Sequence, residues 1–244
     1  MIKLKNISRT INNIPILHNI SLEIKAGEFI AFLGPNGCGK STLMNILAGV
    51  IKQDAGEIII ADAASQKIGF VFQDYRRYLL PYRSVRANIL YPLQLRKISA
   101  AEQQVQLDKI IDLIGGINFS LDQKIHTLSG GQAQLVSLMR ALIIDPAILI
   151  LDEPFSALDY QATLNLQDTI LEVVERLNLT TLLISHNIEE AILMADRLVI
   201  LSPKPGSVRE ILEIDMDRPR SHVQIGSLAF SQLQARAISI FLKG

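Results

Sequence analysis

The chain has one cysteine, Cys38, and no tryptophan in 244 residues. A single thiol excludes an internal disulfide and any multi-cysteine metal site. An excess of charge is also missing, since Lys and Arg number 24 and so do Asp and Glu. A neutral balance lacks the electrostatic footprint that dominates nucleic-acid affinity, so no nucleic-acid partner is expected. Gly and Pro are sparse, at 14 and 9 residues, which excludes a fibrous or low-complexity chain. Mean hydropathy is high at +0.28, yet no long apolar run exists. The most apolar stretch, 141–151, is broken by Asp145 and Pro146, and it falls far short of the roughly 20 residues a spanning helix needs. Residues 1–5 alternate like a strand and lack the apolar core of a signal peptide. These absences predict a soluble protein of a reducing compartment.

What is present is an alternation of short apolar runs and helical patterns, the mark of an α/β fold. Strands are predicted over 14–24, 27–33, 57–61, 67–72, 147–151, 180–184, 198–201 and 208–214. Helices are predicted over 40–48, 85–95, 100–114, 159–178, 188–195 and 228–242. Ser99 with Glu102 reads as a helix start, and Gly115-Gly116 as its stop. In the 159–178 helix, Leu166, Ile170, Val173 and Leu177 share one face. The mostly helical block over 74–144 reads as an insertion between β-rich segments. Short linkers predict one compact unit.

Three motifs carry chemistry. Gly34-Pro35-Asn36-Gly37-Cys38-Gly39-Lys40-Ser41-Thr42 fits the phosphate-loop pattern between a strand and a helix. Glycines let successive N–H groups turn toward an anion, and the helix start adds positive potential. Lys40 supplies a full charge to the terminal phosphates, and Ser41 supplies a hydroxyl to Mg²⁺. Cys38, at a helix start, is expected to have a lowered pKa and to be reactive; its alkylation should block nucleotide binding. The run 148–154 is an apolar strand ending in Asp152-Glu153-Pro154. Alternation along a strand gives the two acids different directions and different tasks, a Mg²⁺ contact for Asp152 and a general base for Glu153. Leu128-Ser129-Gly130-Gly131-Gln132 opens an apolar helix with a serine cap and exposed N–H groups, a second anion site.

In this order and spacing, the motifs resemble those of the ATP-binding-cassette ATPase family, along essentially the whole chain. Lesser motifs agree. Gln73 looks like the family's Q-loop glutamine, a Mg²⁺ and water ligand. Ser156-Ala157-Leu158-Asp159 resembles its D-loop, and His186 its switch histidine at the γ-phosphate. The resemblance implies an α/β P-loop NTPase core with an antiparallel β subdomain and an inserted helical signature subdomain. One domain would span 1–244, with the core at 1–73 and 145–244 and the helical part at 74–144. ATP and Mg²⁺ are the implied ligands. Lys40, Glu153 and His186 would be catalytic, residues 34–42 and Gln73 would hold ATP, and Ser41, Gln73 and Asp152 the metal.

A head-to-tail homodimer is also implied, in which Ser129, Gly130, Gly131 and Gln132 complete the partner's site and Asp159 lies nearby. Permease subunits and an external solute-binding protein would complete an importer, with this subunit peripheral on the cytoplasmic face of the inner membrane. The nitrate/sulfonate/taurine branch is similar at residues 33–40, at Leu201-Ser202-Pro203-Lys204-Pro205-Gly206 and at Asp217-Arg218-Pro219-Arg220. A soluble cassette ATPase without a permease is the alternative. Two departures stand out: Ile11 where relatives place an aromatic that stacks on adenine, and Leu135 where many have a base. Loss of stacking predicts a weak preference for ATP over GTP. Arg76, Arg77, Arg83, Arg86, Arg96 and Lys97 cluster after Gln73 against the single acid Asp74, a patch suited to docking on a membrane assembly.

Overall fold

The computed structural model describes residues 1–60 and 67–242, so the expected strand end at 61 lies outside the described residues. The chain divides into two compact units, Met1–Ser65 with Thr180–Gly244, and Gln66–Leu179. No helix among the described residues is long and apolar enough to cross a membrane.

In the first unit, β1 (Ile2–Ile11), β2 (Ile14–Ile24) and β4 (Ala55–Ile60) form an antiparallel sheet in the order β2-β1-β4. Asn12 and Asn13 join β1 to β2 with φ of 50° and 62°, as a tight hairpin of matching twist requires. Alternation buries Ile2, Leu4 and Ile7 together with Ile20, Leu22 and Ile24. The other strands are β3 (Phe29–Leu33), β7 (Thr180–Ile184), β8 (Arg197–Leu201) and β9 (Val208–Glu213). They lie in the order β7-β3-β8-β9. β3 runs parallel to β7 and β8, and β9 closes the edge antiparallel to β8. Every residue of β3 and β7 is buried, which is why β3 reads as an unbroken apolar run and β7 as two threonines followed by one, rather than as alternations.

α1 (Lys40–Leu47) leaves the end of β3, and α7 (Ile188–Met194) leaves β7. α8 (Leu228–Leu242) buries Phe230, Ala237 and Ile240. Arg220 pins the tail: its buried guanidinium donates to the carbonyls of Ile192 and Ala195, at the open end of α7, and to those of Ile214 and Met216. The carbonyls of Ile192 and Ala195 are ones that a helix end leaves without intrahelical partners. Burial, with the nearby charge of Arg218, pushes the Arg220 pKa down to about 10, against the pull of Asp196.

In the second unit, β5 (Ile68–Val71) pairs parallel with β6 (Ile148–Asp152). Around them lie α2 (Tyr75–Tyr78), α3 (Val85–Leu95), α4 (Ala100–Leu113), α5 (Gly130–Leu142) and α6 (Tyr160–Leu177). The helical block expected over 74–144 falls inside this unit, which also takes in β5, β6 and α6. Close packing explains the wider boundary: a Cβ at Gly69 of β5 would lie 2.7 Å from the Ala141 carbonyl oxygen of α5. α4 starts on the predicted capping box, with Ser99 and Glu102 bonding each other's backbone N–H. On α6, Leu166, Ile170 and Val173 are buried, but Leu177 is exposed. The helix ends there at Asn178 in the left-handed conformation, so the last position of the apolar stripe has no neighbour to cover it.

Candidate nucleotide site

β3 runs directly into the loop at 34–39, and Gly39 closes that loop with φ of 103°. This conformation is open to glycine and strained for a side chain, and α1 begins at the next residue. Asn36 and Gly37 form the exposed tip, while Cys38, Gly39 and Lys40 are buried. Lys40 is only 6% exposed, and its ammonium donates to the carbonyls of Gly34 at 2.7 Å and Pro35 at 3.1 Å. No ion-pair partner for it is found among the described residues. A buried cation whose partners are neutral carbonyls is poised for an anion, and the start of α1 adds favourable potential at the same place. Ser41 and Thr42 follow on the first turn of α1.

The expectation of a reactive Cys38 is corrected. The side chain is 0% exposed, and a Cβ on Gly34 would come within 2.8 Å of its sulfur. Burial pushes the thiol pKa up, outweighing the charge of Lys40 and the backbone bonds that favour the thiolate. Sealing under the loop therefore overrides the position at the helix start.

Gly206 is a supporting residue to which the motifs gave no role. Its N–H donates to Ile16 at 2.8 Å and its carbonyl accepts from His18 at 2.9 Å, so β2 holds it in place. A Cβ there would lie 2.1 Å from the Cys38 carbonyl oxygen. The segment 201–206 thus backs the phosphate loop at a distance only glycine permits. Pro-Gly after a strand signals a turn, but the approach to Cys38 is a tertiary contact that no local signal carries.

His186 is exposed on the bend between β7 and α7. Ser185 fixes that bend, donating to Glu190 at 2.6 Å and accepting from the Asn187 N–H at 2.9 Å. Asn187 in turn caps α7. Ile11 is partly exposed at the hairpin end of β1.

In the second unit, the structure brings two predicted residues together. The Gln73 side-chain amide, just past β5, donates to the Glu153 carboxylate at 2.8 Å. Glu153 has φ of 46°, an uncommon conformation for a non-glycine residue and a frequent one at functional sites. Asp152 ends β6 and is 6% exposed. Ser129 caps α5 in a reciprocal box: its hydroxyl accepts from the Gln132 N–H at 3.3 Å, and its own N–H donates to the Gln132 side chain at 3.0 Å. Gly130 and Gly131 form the first turn. Asp159 caps α6, accepting from the Ala162 N–H at 2.9 Å. Leu135 lines a cavity of about 550 Å³ of mixed polar and apolar lining, with Ile114, Phe119, Gln132 and Leu166.

Lys40, Ser41 and His186 belong to the first unit, and Gln73, Ser129, Asp152, Glu153 and Asp159 to the second. Ser41 in the first unit carries a hydroxyl, and Gln73 and Asp152 in the second carry an amide oxygen and a carboxylate, each a hard oxygen donor of the kind Mg²⁺ takes. Among the described residues, no three His, Cys, Asp or Glu side chains cluster to hold a metal by themselves.

Residues 17–156 match the ABC transporter family. The chain belongs to that family. Its cassette is similar to the aliphatic sulfonates import ATP-binding protein SsuB of Bacillus thuringiensis, 36% identical over 244 residues, 98% of this chain and 94% of that one. It is also 38% identical over 208 residues to the taurine import ATP-binding protein TauB of Pseudomonas syringae, covering 84% of this chain and 78% of the relative. The solved dimeric structure of MJ0796, a bacterial ABC transporter cassette, superposes with a TM-score of 0.77 at 30% identity, over 89% of this chain and 100% of that one. The α/β fold with its phosphate loop and antiparallel β sheet is that of an ABC ATPase cassette. The patch after Gln73 is partly neutralised within the cassette: Arg77 pairs with Asp74 at 2.7 Å and Arg86 with Asp122 at 3.7 Å.

Proposed function

We propose that this ABC cassette is the ATP-hydrolysing subunit of an importer for a small solute of the nitrate, sulfonate or taurine kind. The reading rests above all on Lys40, a cation buried against carbonyls in a phosphate loop. The bond between Gln73 and Glu153 and the import proteins among its relatives support it. In this reading the subunit works as a homodimer bound to permease subunits on the cytoplasmic face of the membrane, and an external binding protein delivers the solute.

Lys40 and the loop N–H groups hold the triphosphate and offset its charge. Ser41, Asp152 and Gln73 would hold Mg²⁺, which would offset the charge on the phosphates and polarise the γ-phosphoryl group. Glu153 accepts a proton from the attacking water as the water oxygen bonds to the γ-phosphorus, and the bond to the ADP oxygen breaks. Gln73 orients that carboxylate, and His186 donates to the γ-phosphate oxygens. Ser129, Gly130, Gly131 and Gln132 meet the nucleotide of the partner subunit, with Asp159 beside them.

Hydrolysis and binding separate the roles. Lys40→Ala is expected to lose nucleotide binding. Glu153→Gln is expected to bind MgATP with wild-type affinity while turnover falls by about 10²–10⁴, the range of general-base catalysis. Near-native turnover by Glu153→Gln, measured as phosphate release, removes the general-base role.

A further inference from the structure

Two buried polar side chains of the second unit have no hydrogen-bond partner: the Tyr75 hydroxyl, and Gln134 at both amide atoms. Tyr75 is 3% exposed and Gln134 is 1% exposed. Buried polar groups are nearly always paired, because an unpaired one keeps its desolvation cost with nothing to offset it. Nothing in the loop chemistry above uses either residue.

Both belong to the start of α5 or to the residue that covers it. A Cβ on Gly130 would lie 3.4 Å from the Tyr75 hydroxyl, so Tyr75 reaches from α2 onto the first turn of α5. Gln134 stands one turn further along α5, on the face it shares with Gly130. Long helical side chains lean over the turn before their own Cα, and for Gln134 that is the turn Tyr75 covers. α2 in turn begins two residues after Gln73, the residue bonded to Glu153. Tyr75 therefore links the segment after Gln73 to the first turn of the signature helix, and Gln134 follows one turn on along the same face.

We propose that Tyr75 and Gln134 are a hydrogen-bonding pair, open in this conformation, that closes when the signature helix shifts against the Gln73 segment on nucleotide binding. The closed bond exists only in the hydrolytic conformation and so biases the equilibrium toward it, as any differential contact must. Both are positioning residues, since neither touches nucleotide. The inference rests on the ATPase reading above.

The test uses the full chain with Tyr75→Phe, Gln134→Met and the double substitution, each close in volume to the original. Thermal unfolding without nucleotide is measured beside kcat and KM for MgATP. Each single variant is expected to unfold no lower than wild type, because neither group is bonded at rest. Its kcat falls about tenfold, the rate equivalent of one hydrogen bond, with KM within about twofold. The double variant is no slower than the slower single one, because the pair acts as a unit.

Unchanged kcat in all three variants overturns the pair, as does a double loss equal to the product of the single losses. A melting temperature lowered by Tyr75→Phe overturns it as well, since the hydroxyl would then be bonded at rest. A wild type that releases no phosphate overturns the ATPase reading itself, and with it the pair. Active wild type with unaffected variants overturns the pair alone.

Discussion

The thiol of Cys38 sits at the start of α1, where the helix favours a thiolate, yet the side chain lies sealed beneath Gly34. Burial is the larger influence and holds the pKa above its ordinary value. A raised pKa keeps the group protonated to higher pH, so the thiolate fraction at pH 8 is below that of a free cysteine. Labelling with a thiol reagent at pH 8 is expected to be at least about tenfold slower in the native protein than in urea, the combined result of burial and protonation. Equal rates in the two conditions would show that the thiol is open. At this scale the sequence displayed residue identity but not depth. The motif located Lys40, Glu153 and Cys38, while the sealing of one thiol and the bond from Gln73 to Glu153 needed distant chain to be in place. Gly206 was the least legible, because the demand for glycine comes from a carbonyl far away in sequence.

Elements were far more legible than depth. The bounds of β2, β7, α3 and α8 match the patterned segments residue for residue, since periodicity and caps are local. α2 escaped notice because four residues are too few to show a period. Caps also allow a controlled comparison. Ser99 and Ser129 each close a reciprocal capping box, with Glu102 and with Gln132. Losing a serine cap costs about 0.5–2 kcal/mol, so Ser99→Ala and Ser129→Ala are expected to lower stability similarly in denaturant unfolding. Only Ser129→Ala is expected to depress ATP hydrolysis as well, because in the proposed dimer only its helix start meets a nucleotide. Equal, full activity in both variants would reduce Ser129 to an ordinary cap.

At the scale of the whole molecule, Gly130 is a glycine that packing does not demand. At Gly69 and Gly206 an added Cβ would strike backbone at 2.7 Å and 2.1 Å, whereas at Gly130 the nearest atom lies 3.4 Å away. Gly130 also begins a helix, where alanine is the better helix former by about 1 kcal/mol. Neither the fold nor the local backbone therefore accounts for glycine at this position. A surface that must let another body approach its backbone closely does account for it, and the dimeric cassette among the similar structures makes a second copy carrying nucleotide the natural candidate. Gly130→Ala is accordingly expected to keep or slightly raise the melting temperature and to bind MgATP as tightly as the parent. In a Glu153→Gln background, where nucleotide persists, the parent should elute as a dimer with MgATP and the Gly130→Ala version as a monomer. Size-exclusion chromatography with light scattering reads the difference directly. A full dimer from the doubly substituted chain would mean that nothing approaches Gly130, and the head-to-tail arrangement would lose its physical basis.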